Sequence, residues 1–179
     1  MNQNPDILTV YHGTISLIGS VDVSKGKPYK DFGRGFYVTQ DFAHAKNLAN
    51  RNRLLEQERF KQKFSAYVYT YALDMNVVRT FHVKEFPAAD IDWMRFVLSN
   101  RSVRDKNHSY DVVIGPTAND DTSLVLKSYF SGLYGDVDSE RAITIALEMI
   151  EAENLPEQIY FGLNCALVSL SQKGSVRKI

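Results

Sequence analysis

Three short stretches carry residue types that could do chemistry together. They are Tyr11-His12-Gly13-Thr14, Asp31-Phe32-Gly33-Arg34-Gly35-Phe36-Tyr37-Val38-Thr39 and Glu157-Gln158-Ile159-Tyr160-Phe161. In the second, Gly33 and Gly35 permit backbone angles closed to other residues. Phe36 to Thr39 is aromatic and β-branched, which reads as a short strand. A glycine turn feeding an aromatic strand brings bare backbone close to a ligand and sets an aromatic face beside it. The competing reading is a hairpin turn running into a core strand, because short glycine motifs are common. A fourth stretch, Asn119-Asp120-Asp121-Thr122, offers either helix caps with carboxylates at a helix N-terminus or polar groups at the edge of a cleft. Arg34 has two readings of equal weight, a cation for a phosphate or a solvated turn residue.

Other chemistries find little support. His12, His44, His82 and His108 show no metal-ligand pairing, and the last three read as surface or loop histidines. Cys165 is the only cysteine, so no intramolecular disulfide and no cysteine-built zinc site can form; no neighbouring base activates it. The chain lacks a Gly-x-Ser-x-Gly elbow and a phosphate-cradling P-loop, which argues against acyl transfer and nucleoside-triphosphate hydrolysis.

The elements that must position these residues follow from periodicity. Ile7 to Tyr11 reads as a buried strand, residues 15–30 as an irregular mobile loop, and Asp41 as the N-cap of a helix reaching about Gln62. In that helix Phe42, Ala45, Leu48 and Ala49 recur at helical spacing, and the face beyond Arg51 turns charged. Phe64 to Leu73 alternates as a strand, with Tyr67, Tyr69 and Tyr71 on one sheet face. A short strand is expected over Val77 to His82 and a helix from Pro87 to Ser99, with Trp93 in the core. A strand is expected over Tyr110 to Pro116, and helices over Ser123–Leu133 and Ser139–Ala152. The Glu157 to Phe161 strand is followed by a short helix from Asn164 to Leu170, and the tail from about 171 reads as frayed.

Strands and helices come mixed without regular alternation, so the fold class is α+β. With 179 residues, 44% of them hydrophobic, the chain reads as one globular domain over 1–179. Lys+Arg and Asp+Glu both total 21, so bulk charge gives no reason to expect nucleic acid or an anionic membrane as partner, though a local basic face remains open. The polar N-terminus and the absence of a long apolar run read as a soluble, cytoplasmic protein.

The order of the motifs resembles the ADP-ribosyltransferase superfamily, in its histidine–tyrosine–glutamate branch. The chain is most similar to a group of small bacterial ADP-ribosyltransferase-like proteins of unknown function. Tyr11 to Gly13, Asp31 to Tyr37, Asp111 to Pro116, Ala118 to Thr122 and Gln158 to Phe161 match that group's pattern in turn, across about residues 7 to 170. The resemblance implies a split β-sandwich with flanking helices, NAD as co-substrate without a metal, and mono-ADP-ribosyl transfer to a macromolecular acceptor. It implies that His12 meets the adenosine ribose, the Gly13 backbone the nicotinamide carboxamide, and Tyr37 the nicotinamide ring. Thr14, Gly33, Arg34, Gly35, Asn119 and Asp120 would complete the NAD surface. A cationic pyridinium suits an aromatic face, and an oxocarbenium-like transition state needs orientation and a nearby anion. The family's glutamate opens the C-terminal strand. Here alignment places Gln158 there, with Glu157 one residue away and on the opposite face. Either residue takes the role, or Asp120 or Asp121 is recruited. Small members of this superfamily often act as toxins or in phage defence, which by analogy implies a neutralising partner protein. The rival expectation is a non-catalytic NAD- or ADP-ribose-binding module acting through a partner.

Overall fold

The computed structural model describes residues 6–118 and 120–179, without the side chains of Asp120 and Asp121. Its first sheet is built on a long antiparallel pair, β1 (Ile7–Thr14) and β3 (Tyr67–Asp74), in register from Ile7↔Asp74 to Thr14↔Tyr67. The outer edge of β3 takes two short strands, β7 (Leu170–Gln172) and β8 (Arg177–Lys178). The tail is therefore paired, in contrast to the frayed end expected. Lys173 and Ile179 donate to Thr70 O and Ala66 O at 2.8 and 2.9 Å, covering backbone groups that an edge strand would leave open.

The second sheet runs in the order β2 (Phe36–Val38), β6 (Glu157–Phe161), β5 (Val112–Pro116), β4 (Val83–Glu85), antiparallel except for the parallel β4–β5 pair. The strand expected over Val77 to His82 is a different element. Asp74 accepts from Asn76 N and Val77 N and starts a one-turn helix, α2 (Met75–Val78), so strand pairing waits until Val83. The β-branched valines gave the misleading signal; the cap overrides it.

Alternation along the strands separates two cores. Ile159 and Phe161 of β6, with Val112 and Ile114 of β5, pack toward the first sheet against Val10, Tyr69, Tyr71 and Leu73. Tyr160 and Val113 point the other way, into a core closed by α3 (Ile91–Arg101), α4 (Asp120–Phe130) and α5 (Glu140–Met149) through Trp93, Met94, Leu126, Tyr129 and Ala146. Both faces of β5 and β6 are covered, which is why Val112-Val113-Ile114 and Ile159-Tyr160-Phe161 are uninterrupted apolar runs. The tyrosine row on β3 is interior, as its alternation predicts.

Helix α1 (Phe42–Phe60) starts at Asp41, whose Oδ1 accepts from His44 N at 3.0 Å. Ala45 and Ala49 are buried, and a Cβ at Gly13 would overlap the Ala45 carbonyl oxygen. Glycine at 13 thus lets the helix press onto β1. Beyond Arg51 the helix is largely exposed, its Leu54, Leu55 and Phe60 facing solvent. No described helix is long and apolar enough to cross a membrane.

Candidate functional site

Among the described residues the two sheets touch edge to edge at one bridge, Tyr11↔Thr39, with Tyr11 N donating to Thr39 O (2.7 Å) and Thr39 N to Tyr11 O (3.0 Å). That bridge fixes the phase of β1. Since Tyr11 spends its backbone groups on β2, the pairs Tyr11↔Thr70 and Gly13↔Val68 are the non-hydrogen-bonded kind in the β1–β3 ladder. The Gly13 N–H and C=O therefore point to the β2 side, past the bridge, where β2 does not meet them. In their place His12 Nδ1 lies 2.7 Å from Tyr37 O. A carbonyl only accepts, so Nδ1 carries the proton and Nε2 is left as an acceptor. The His12 ring stacks on Phe36 at 4.4 Å, and desolvation holds its pKa below the ordinary value, against the opposing Tyr37 hydrogen bond. Thr14 Oγ1 accepts from Ser16 N at 3.2 Å, starting the loop that follows.

The third motif reaches the same junction through Thr39, whose hydroxyl donates to Glu157 O at 2.7 Å. The Glu157 carboxylate is exposed, with Gln40 Nε2 3.5 Å away. Gln158 points to the opposite face and is buried.

The glycine turn is tied down by the chain's own groups. Tyr37 donates its hydroxyl to Gly33 O (2.6 Å) and accepts from Phe32 N (3.1 Å). Its half-buried ring lies 6.4 Å from Phe32 and 5.1 Å from Tyr160, and burial, followed by the Asp31 charge, pushes its pKa well up. Gly33 has φ +94°, and a Cβ at Gly35 would run into the Tyr160 ring. The Arg34 side chain is half-buried with Nε 3.4 Å from Asp105, and its backbone N–H donates to Asp105 O at 2.7 Å. His108, read from sequence as a surface or loop histidine, is half-buried. It donates from Nε2 to Phe32 O at 2.8 Å and accepts from Tyr110 N. These contacts bring the loop over 101–109 against the turn.

Sequence reasoning missed the centre of this arrangement. Asp31 is buried, and its carboxylate receives four donors. Arg101 Nε (2.8 Å) and Nη2 (2.6 Å) reach Oδ1, while Ala118 N (2.9 Å) and Gln158 Nε2 (2.8 Å) reach Oδ2. Arg101 also donates to Ala118 O at 2.6 Å. One carboxylate thereby locks the glycine turn to α3, to the β5–α4 connection and to β6. An acidic residue directly before Phe-Gly, at the entry to an aromatic strand, was a usable signal, since a buried carboxylate demands donors. The partners, 70 and 127 residues away, had none. The hub also gives a reason for glutamine at 158: a glutamate there would set two carboxylates face to face. Asn119 lies outside the described residues, and Asp120 opens α4 with its side chain likewise outside them.

Two hollows lie away from the β1–β2 notch. One of about 270 Å³ is lined by Tyr29, Leu98, Arg101, Leu126 and Lys127 among others. The other, of about 600 Å³, runs between Ala88–Asp90 and Leu147–Asn154, with Glu148, Glu151 and Glu153 on its walls.

No curated protein and no solved structure matches the chain. A family of proteins of unknown function, DUF3990, matches residues 8–171. The chain, with its histidine–glycine strand, glycine turn and Glu157-Gln158 strand inside that span, belongs to this family.

Proposed function

We propose that the protein is an NAD-dependent mono-ADP-ribosyltransferase with the split β-sandwich of that superfamily, its NAD site at the β1–β2 notch. The observation that carries this reading is the Gly13 backbone, whose N–H and C=O face the notch with no strand among the described residues to pair them. A carboxamide has the complementary donor and acceptor side by side. His12, held by Tyr37 O with Nε2 as acceptor, is suited to a ribose hydroxyl. When bound, NAD supplies an activated ribosyl C1′ with nicotinamide as leaving group. Of the two candidates on β6, Glu157 is the one with an exposed carboxylate, beside Gln40 next to the Thr39 junction, and it would take the acceptor's proton. Gln158 holds the turn through Asp31. The Gln158–Asp31 hydrogen bond is also the observation that favours the second reading, a module that binds NAD or ADP-ribose without turnover and acts through a partner.

Nicotinamide release from NAD by the purified protein separates the two. The transferase reading expects slow release into water that is lost in Glu157→Gln, while NAD still raises Tm in that variant. Thermal stabilisation by NAD with no release from the unsubstituted protein would replace it with the binding module. Absence of both effects would exclude NAD as the ligand.

A further inference from the structure

The 270 Å³ hollow beside Arg101 has a composition the NAD reading does not use. Its floor is apolar, from Leu98 on α3 and Leu126 on α4, and Tyr29 stands at its lip with the residue 53% exposed. Tyr29 has φ +59°, an uncommon and strained conformation for a non-glycine residue that has to be held by its surroundings. The polar rim is cationic: Arg101 and Lys127 line the hollow, and Lys30 follows Tyr29 directly. Lys30 is held below its ordinary pKa first by desolvation, with Asp31 opposing and with Lys27, Arg101 and Arg51 adding to the lowering, so several cations share this face. Among the described residues none of Lys27, Lys30 and Lys127 has an ion-pair partner, and no described carboxylate lines the hollow. The balanced total charge thus conceals a local basic face. Tyr29 from residues 15–30 and Arg101 and Ser102 at the start of 101–109 line the hollow together.

An exposed aromatic over an apolar floor, with Lys127 in the wall and Lys27 and Lys30 close by, suits a unit that is flat at one end and anionic at the other. We infer that this hollow binds a nucleotide of single-stranded nucleic acid, its base on Tyr29 and its phosphates on Lys27, Lys30 and Lys127. The site is separate from the notch. Arg101 lies between the hollow and Asp31, and Asp31 in turn holds Gln158. The role of the strand rests on the transferase reading, in which it is the acceptor. An oxygen or nitrogen of the strand bonds to C1′ as nicotinamide departs with the bonding pair, and the acceptor's proton passes to Glu157 or solvent. Binding itself does not rest on that reading and is tested without NAD.

The experiment is fluorescence anisotropy of labelled single-stranded DNA and RNA oligomers of about 12 nucleotides, at salt from about 50 to 300 mM, with adenosine monophosphate as a competitor. Binding should weaken with salt, at a slope of about −2 in log K against log[salt] for three phosphate contacts on a single strand. Lys27→Glu/Lys30→Glu/Lys127→Glu should lower affinity tenfold or more and flatten the slope. Tyr29→Ala should lower it about fivefold or more with the slope kept, as expected for lost base stacking, and Tyr29→Phe should restore it. Tighter binding of the oligomers than of the mononucleotide identifies a strand; the reverse order makes the ligand a free nucleotide and overturns the strand. Full competition by NAD would make the hollow part of the co-substrate site and overturn the proposal. So would absence of binding at the lowest salt, or equal binding by all variants that keep the wild-type Tm. Strand binding without nicotinamide release would leave this site standing and sink only the transferase.

Discussion

Replacing Gln158 by glutamate would install the residue type that the proposed transferase reading expects at the start of β6 and, at the same time, test the hub. In the structure Gln158 Nε2 donates to Asp31 Oδ2 at 2.8 Å, and both residues are buried. Gln158→Glu would put two carboxylates at that separation. Coulomb's law at an effective dielectric near 20 gives about 5–6 kcal/mol for unit charges roughly 3 Å apart. Protonation offers a cheaper route. Holding one glutamate neutral at about pH 7.5, from an unperturbed pKa near 4.3, costs about 4 kcal/mol, after which its O–H can donate to Asp31. At about pH 5 the same step costs about 1 kcal/mol. The sign follows from linkage. The carboxyl introduced at position 158 has a folded-state pKa raised above its unfolded value, so its stabilising protonated form is complete below about pH 4.3 and lost as pH rises. Urea denaturation of variant and wild type, compared at each pH, should show a deficit of about 4 kcal/mol at the higher pH shrinking to about 1 at the lower. The corresponding Tm loss at the higher pH is roughly 8–16 °C. Adding Asp31→Asn should recover part of the deficit, since the new amide can donate to the introduced carboxylate. Ala118 N would then face a donor in one orientation of that amide, so recovery is incomplete. A variant as stable as wild type near neutral pH, or a deficit that does not shrink in acid, refutes the hub. Gln158→Glu should also gain no NAD cleavage.

Two further outcomes follow from buried charge. Arg101→Met leaves the Asp31 carboxylate buried without its cation and should cost about 3–5 kcal/mol, whereas Arg95→Met, which removes the exposed pair with Asp138, should cost about 1 kcal/mol or less; paired urea titrations check the contrast. His12, His44 and His108 all have pKa values lowered mainly by desolvation, so below about pH 6.5 the unfolded chain binds more protons at these rings than the folded one. Wild-type Tm should therefore be flat from about pH 8 to 7 and fall progressively from about pH 6.5 to 5, and a Tm that rises over that window contradicts the burial of these rings.

Elements with a local cause were legible in the sequence. Asp41 caps α1 where its side chain indicated, Ser139 caps α5, and the apolar runs at 112–114 and 159–161 are strands covered on both faces. The partition of Glu157 and Gln158 onto opposite faces followed from strand geometry alone. Elements decided by distant partners were not legible. Nothing within 171–179 signals the β3 edge that pairs it, and nothing near Arg101 signals a carboxylate 70 residues earlier. Gly13 and Gly35 show a third case. Both were read as openings for a ligand, yet the space at each Cα is taken by α1 and by Tyr160; what is open at Gly13 is its hydrogen-bonding edge, which only the Tyr11↔Thr39 bridge reveals.

The proposed NAD site stands or falls on that edge. An NAD titration of isotopically labelled protein, followed by backbone amide NMR, reads it directly. The Gly13 N–H should move downfield and saturate with NAD, accompanied by the His12 ring and the Thr39 amide, and nicotinamide should compete at Gly13. Saturable binding that leaves Gly13 unmoved, or no binding at millimolar NAD, would contradict the site.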